Sequence, residues 1–242
     1  MDVAHYLTAV RRDGDLLAAT PADVLDTVVP SCPAWTVGQL VGHTGWVYRW
    51  VTATLRADPA SAPNPKSIEA APQGTAVIEW YRVALGELLT ALGEVDLHQT
   101  FKTFTGPQNG HWWARRMAHE TSVHRWDSQQ ALGSATPIET ELALDGIDEA
   151  LDTYLPCRFD HATFRSQGQT LHLHATDGAG EWMLTMQPDA VHCQRTHGKG
   201  DVALRGSASD LLLFVMSRLD AEQLDTFGQL ELAQRWQAAA NF

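Results

Sequence analysis

The chain has 242 residues, 44% of them apolar, and its 29 acidic against 17 basic side chains leave a net charge of −12. That length predicts one large or two small domains with real cores, and the charge excludes a general nucleic-acid binder or a protein docked on anionic membranes. The longest purely apolar run, residues 211–216, falls far short of the roughly 20 residues that span a bilayer. With no basic segment followed by an apolar stretch at the N-terminus, a cytoplasmic protein is expected.

Residues 4–19 place apolar side chains at helical spacing. Thr20 as N-cap and Pro21 at the first helical position restart a short helix. Thr36 and Gln39 form a capping box, with Trp35 set to staple onto Leu40, and predict a helix over about 37–56. Residues 57–74 are rich in Pro, Ala and Ser and read as a loop. Helical spacing resumes over about 75–93. A loop containing Gly106, Pro107 and Gly110 leads to a helix over about 111–131, and Thr136 with Pro137 opens another, running to about 154. After residue 160 the period falls to two, with strands at 170–175, 182–186, 190–195 and 202–204 and a turn at Asp177-Gly178. Ser207 caps an apolar helix, and a last amphipathic helix covers about 228–239. The fold class is α+β: a helical bundle over 1–157, then a small α+β domain over 158–242.

The segment around Glu120 carries the most chemistry. His119 and His124 are five apart, about 500° around a helix, and so diverge by roughly 140°. Glu120 and His124 are four apart and only about 40° from each other. That spacing puts a carboxylate and an imidazole on one face, as a metal site in a bundle requires. The best third ligand is His43, on the stripe Leu40, His43, Val47 and Trp50. Three ligands with an open position is the arrangement of catalytic zinc. The bland alternatives are a core histidine at 43 and a surface polar pair at 120 and 124.

Arg49, Arg115, Arg116 and Arg125 locally reverse the acidic balance. Guanidinium forks suit carboxylates, so a small anionic substrate is one expectation and solvated helix faces the other. His172 and His174 share a strand face and, lacking a third partner in the sequence, read as exposed polar positions. Cys32, Cys157 and Cys193 are widely spaced and odd in number, which fits a reducing compartment rather than a disulfide framework. None shows an activating pattern, so no cysteine of the chain is expected to be a nucleophile.

The stretch from Cys32 to Val37 with Leu40 and His43, the run from Trp113 to Glu120, and the run from Val123 to Asp127 together resemble the mycothiol-dependent maleylpyruvate isomerase family. That family belongs to the DinB-like four-helix metalloenzymes. The resemblance continues from Leu204 to Leu212 and at Arg218, where it implies a sterol-carrier-like C-terminal domain. It implies a zinc or other divalent ion held by His43, Glu120 and His124, a catalytic arginine at Arg218, and mycothiol as thiol cosubstrate. The function implied is a zinc- and thiol-dependent isomerase or S-transferase acting on a small anionic electrophile. Its partners would be that substrate and the thiol, with neither nucleic acid nor membrane, in a monomer or homodimer. A metal-dependent hydrolase of a thiol conjugate or amide would instead turn over without thiol. A non-catalytic ligand-binding protein would bind without turnover.

Overall fold

A computed structural model describes residues 1–58, 61–103 and 105–240; part of the loop expected over 57–74 lies outside them. The chain divides into two compact units, Met1–Thr136 and Pro137–Phe242. No helix among the described residues is long and apolar enough to cross a membrane.

The first unit is a bundle of α1 (Val3–Ala18), α2 (Val37–Arg56), α3 (Ala76–Glu94) and α4 (Gly110–Ala131). In it α2 packs on α3 and α4, and α1 on α3 and α4. The start of α2 follows from its capping box. The Thr36 hydroxyl accepts from the Gln39 amide at 3.3 Å, and the Gln39 side chain accepts from the Thr36 amide at 2.9 Å. The buried stripe of α2 is Val37, Leu40, Val41, Thr44, Tyr48 and Val51, so His43, Val47 and Trp50 lie on its flank rather than in the core. Close approach of α3 depends on Gly45, where a Cβ would fall 2.5 Å from the Trp80 ring.

Two expectations need correction here. Thr20 does not cap a helix: Pro21 precedes a single 3-10 turn, Ala22–Val24, and the Thr20 hydroxyl pairs with Ser128 at 3.3 Å. The loop expected before α4 contains an antiparallel hairpin, β1 (Thr100–Thr103) and β2 (Gly106–Asn109), turned by Gly106 at φ +103°. Its strands are four residues long and mostly polar, so they lack the period-two apolar signal. Gly110 is already the first residue of α4, capped by the Asn109 side chain on the Trp112 amide at 2.9 Å.

The second unit opens with α5 (Thr140–Glu149), which continues through a π-helical turn, Ala150–Tyr154, into α6 (Leu155–Arg158) and α7 (His161–Phe164). The expected cap at Thr136 is not one. Its hydroxyl and carbonyl accept from Arg125 at 2.9 and 2.5 Å, and the helix starts after Glu139. Because α5 packs on α8 (Ala208–Val215), it joins the second unit, and the units part at 136 and 137 rather than near 157.

Five strands follow: β3 (Thr170–Ala175), β4 (Glu181–Met186), β5 (Val191–Gln194), β6 (Val202–Gly206) and β7 (Asp225–Gly228), before α9 (Leu230–Ala240). Their order is β5-β4-β3-β6-β7, with only β3 and β6 parallel. Strand alternation buries Leu171, Leu173, Trp182, Leu184, Val202 and Leu204 on one face, onto which α8 packs. His172, His174, Glu181, Met183 and Thr185 lie on the other face. There His172 is not the exposed polar residue expected: it is only 3% exposed.

Candidate metal centre

Glu120 and His124, one turn apart on α4, meet His43 from α2. The His124 Nε2 lies 3.2 Å from Glu120 Oε1, and the His43 Nε2 lies 3.5 Å from the same oxygen. All three donor atoms fall within 4.8 Å of one another. Four ligands held tetrahedrally at about 2.0–2.1 Å from zinc would sit roughly 3.3 Å apart. The donor set therefore fits a zinc-sized divalent cation with little movement.

Its surroundings fit as well. The His124 Nδ1 pairs with Asp127 Oδ2 at 2.9 Å, which aims Nε2 toward Glu120 and His43. Asp127 is fully buried, and its Oδ1 accepts from the Ser31 hydroxyl at 2.6 Å. The second oxygen of Glu120 accepts from Arg116 at 2.5 Å. Burial alone would raise the Glu120 carboxyl, but His124 and then Arg116 outweigh it and hold the group well below the usual carboxylate range. Burial opposes charge on His124, yet Glu120 and Asp127 push it up to about 9.

The centre has an apolar rim and an approach. The Trp35 ring lies 4.6 Å from the His43 ring and 6.3 Å from that of His124. A cavity of about 730 Å³ beside His43 is lined by Trp35, Gly38, Gln39, Gly42, Trp46 and Val77, with residues 70–74 as its far wall. Gly42 admits that wall, since a Cβ there would stand 2.9 Å from the Ala71 methyl. Beneath the centre, Tyr48 is buried, with its hydroxyl 2.6 Å from Thr121 and 3.3 Å from Tyr81.

His119 points elsewhere, as its angular position predicts. It is buried with its ring edge-on to Tyr6 of α1, 6.3 Å between centroids. Arg125, Arg49 and Arg116 each take separate partners. Arg125 is buried against Asp13, at 3.4 Å, and donates to Gln129 and Thr136. Arg49 lies over the Trp80 ring at 4.6 Å and pairs with Glu69. Arg116 is bonded to Glu120, a member of the triad. In the sequence Asp127 stands only as the end of the Val123–Asp127 run; its place three residues after His124 is the signal that could have given its role.

Arg218 belongs to the second unit, just past α8. The α8 helix closes with Ser217 in the left-handed region at φ +59°. Its amide bonds to the Phe214 carbonyl at 2.9 Å, and the Arg218 amide to the Leu213 carbonyl at 2.7 Å. This Schellman pattern usually takes glycine at the position of Ser217. The Arg218 guanidinium donates to the Met216 carbonyl at 2.6 Å.

These features define a two-unit α+β protein whose helical bundle gathers two histidines and a glutamate suited to one divalent cation. Residues 6–129 match the family model described as the mycothiol maleylpyruvate isomerase N-terminal domain, and residues 141–235 match the MDMPI C-terminal domain. The chain belongs to the mycothiol maleylpyruvate isomerase family, a family of enzymes. It is similar in fold to two crystal structures, one of the mycothiol-dependent maleylpyruvate isomerase and one of its histidine-to-alanine mutant. TM-scores are 0.61 and 0.62 at 12% identity, over 93% of each chain. No curated protein matches the sequence significantly.

Proposed function

We propose that this chain is a divalent-metal enzyme that uses mycothiol to isomerise a small anionic electrophile, or to transfer the thiol onto it, in the cytoplasm. The observation that carries this is the triad of His43, Glu120 and His124, backed by Asp127 and Arg116 and open to the cavity beside His43. A divalent cation bound there, zinc above all, would supply a Lewis-acid position at which a thiol ionises. Asp127 holds His124 with Nε2 inward, and Arg116 turns Glu120 toward the two imidazoles. Trp35 screens the imidazoles with an apolar surface, which strengthens the electrostatic contacts behind it.

An external thiol agrees with the protein's own cysteines. Burial pushes the Cys193 thiol up to about 11, so it is almost wholly protonated at neutral pH and a poor nucleophile. The substrate's negative charge is assigned to Arg218, on the strength of the family resemblance. That charge-assisted, bidentate-capable group would bind a carboxylate or stabilise a developing enolate.

The test combines metal, thiol and substrate. Protein purified without chelator should hold divalent metal, and His124→Ala should lose the equivalent that His119→Ala keeps. With cobalt in the site, added mycothiol should produce a sulfur-to-metal charge-transfer band in the near ultraviolet. Arg218→Ala should leave that band in place and slow conversion of an unsaturated keto acid, by about 10²-fold in kcat if it stabilises an enolate. A cobalt spectrum blind to mycothiol, with turnover of every electrophile indifferent to thiol, would overturn the thiol assignment in favour of metal-assisted hydrolysis.

A further inference from the structure

The second unit holds a separate cluster of ligand-type side chains that the chemistry above does not use. His172 and His174 project from one face of β3, and strand register sets His174 beside Glu181 of β4. The His172 Nε2 lies 2.6 Å from Glu181 Oε2, and the His174 Nδ1 lies 2.6 Å from Glu181 Oε1. The third imidazole comes from the connection between β5 and β6, where the His197 Nδ1 stands 3.2 Å from Glu181 Oε1. The rings of His172 and His197 meet edge-to-face with centroids 5.2 Å apart.

The connection is built to bring His197 there. Arg195 anchors it through ion pairs of 2.8 Å to both Asp148 and Asp152. The glycines after His197 let the backbone lie close on the sheet. A Cβ at Gly198 would be 3.0 Å from the Met183 methyl, and one at Gly200 would be 2.7 Å from the Val202 carbonyl oxygen. The loop is thus pressed onto the outer face of the sheet, covering His172 while leaving the His197 side chain 76% exposed. A cavity of about 290 Å³ beside the cluster is bounded by Asp148, Gly180, Glu181, Arg195 and His197.

We propose that His172, Glu181 and His197 form a second metal site, for a divalent late transition ion of the zinc, nickel or copper class. One ligand atom from each residue lies within 4.8 Å of the other two, so small side-chain shifts reach the roughly 3.3 Å spacing of ligands around zinc. Two imidazoles and a carboxylate are the donors such ions select, whereas magnesium and calcium take oxygen ligands. His174 acts as a positioning residue, its Nδ1 holding the Glu181 carboxylate in line. The solvent-facing side of His197 leaves a coordination position open to water or a small anion.

The site is tested in the full chain by stripping metal and titrating zinc, nickel and cobalt in competition with a chromophoric chelator. The His124→Ala variant silences the bundle site and should still bind one equivalent, with cobalt giving a visible spectrum of nitrogen and oxygen ligation. Adding His197→Ala, an exposed substitution that should not disturb folding, should weaken that equivalent at least tenfold. In the otherwise native chain, His197→Ala should remove one equivalent and leave the one that His124→Ala removes. The proposal is overturned if His197→Ala binds all three metals with the stoichiometry and affinity of the native chain. It is equally overturned if the His124→Ala variant, folded by circular dichroism, takes up no metal at tens of micromolar free ion. Neither result bears on thiol chemistry in the bundle, so failure of this site and failure of that function remain distinguishable.

Discussion

Asp127 lies behind the proposed metal ligands. It is completely buried and bonds to the His124 Nδ1. Asp127→Asn keeps the shape and removes the charge, and metal affinity measured by chelator competition should fall about 10- to 100-fold. An affinity within twofold of the native value would make Asp127 a packing residue alone. Cys193 makes a second prediction at this scale. Its thiol is pushed up to about 11, first by burial, against a lowering by Arg195 whose Nη1 donates to its sulfur at 3.0 Å. Iodoacetamide at pH 7.5 should therefore label exposed Cys157 well before Cys193, and Cys193 should react at speed only as the pH approaches 11. Peptide mapping by mass spectrometry reads both sites, and equal labelling at pH 7.5 would contradict the burial argument.

Helices α2 and α3 owe their spacing to glycine at one position and tolerate its loss at another. At Gly45 a methyl would press on the Trp80 ring, which is held by Arg49 stacked over it and by its own Nε1 bond to Glu69 at 3.3 Å. Overpacking of this kind costs about 1–3 kcal/mol, more than the helix-propensity gain of roughly 1 kcal/mol from replacing glycine. Gly45→Ala should therefore lower the denaturation midpoint. Gly86 lies on the exposed face of α3, where a Cβ would meet nothing within 4 Å, so Gly86→Ala should raise stability by up to about 1 kcal/mol. Urea unfolding of the pair checks the opposite signs. At this scale the bounds of α2 were legible to the residue, because its capping box is local, whereas its buried face was set by what packs on it. The hairpin β1–β2 and strand β7 were not, since their short polar runs are extended only because neighbouring strands pair with them.

For the whole molecule, the proposed bundle centre would couple folding to pH and metal. In the metal-free chain His124 is raised from 6.5 to about 9, so the folded state keeps a proton that the unfolded chain releases earlier. The stabilisation is fully present below pH 6.5 and is lost as pH rises through about 9. A cation bound at the proposed site would take the place of that proton, so metal uptake would release it and remove this slope. Protein loaded at a free metal concentration 100 times Kd would also gain about 2.7 kcal/mol. Urea unfolding at pH 6.5, 8 and 9 should thus show a decline with chelator that is absent with zinc and absent in His124→Ala. Identical pH slopes with and without metal would sink the coupling.

What the chain alone determined was mostly what lies within one element. Helical periodicity put Glu120 beside His124 and turned His119 away, and motif resemblance pointed to the family. Tertiary structure decided which elements supply partners. His43 joins the triad from the flank of α2, Arg125 is drawn into a buried pair with Asp13, and Asp127 orients His124 from within the core. It also joined His172 to Glu181 by strand register and to His197 by a glycine-lined return loop. The physical reason is one of range. Side-chain direction along a helix or strand repeats every few residues and can be read locally. Contact across elements depends on packing, register and loop path, which no local period encodes.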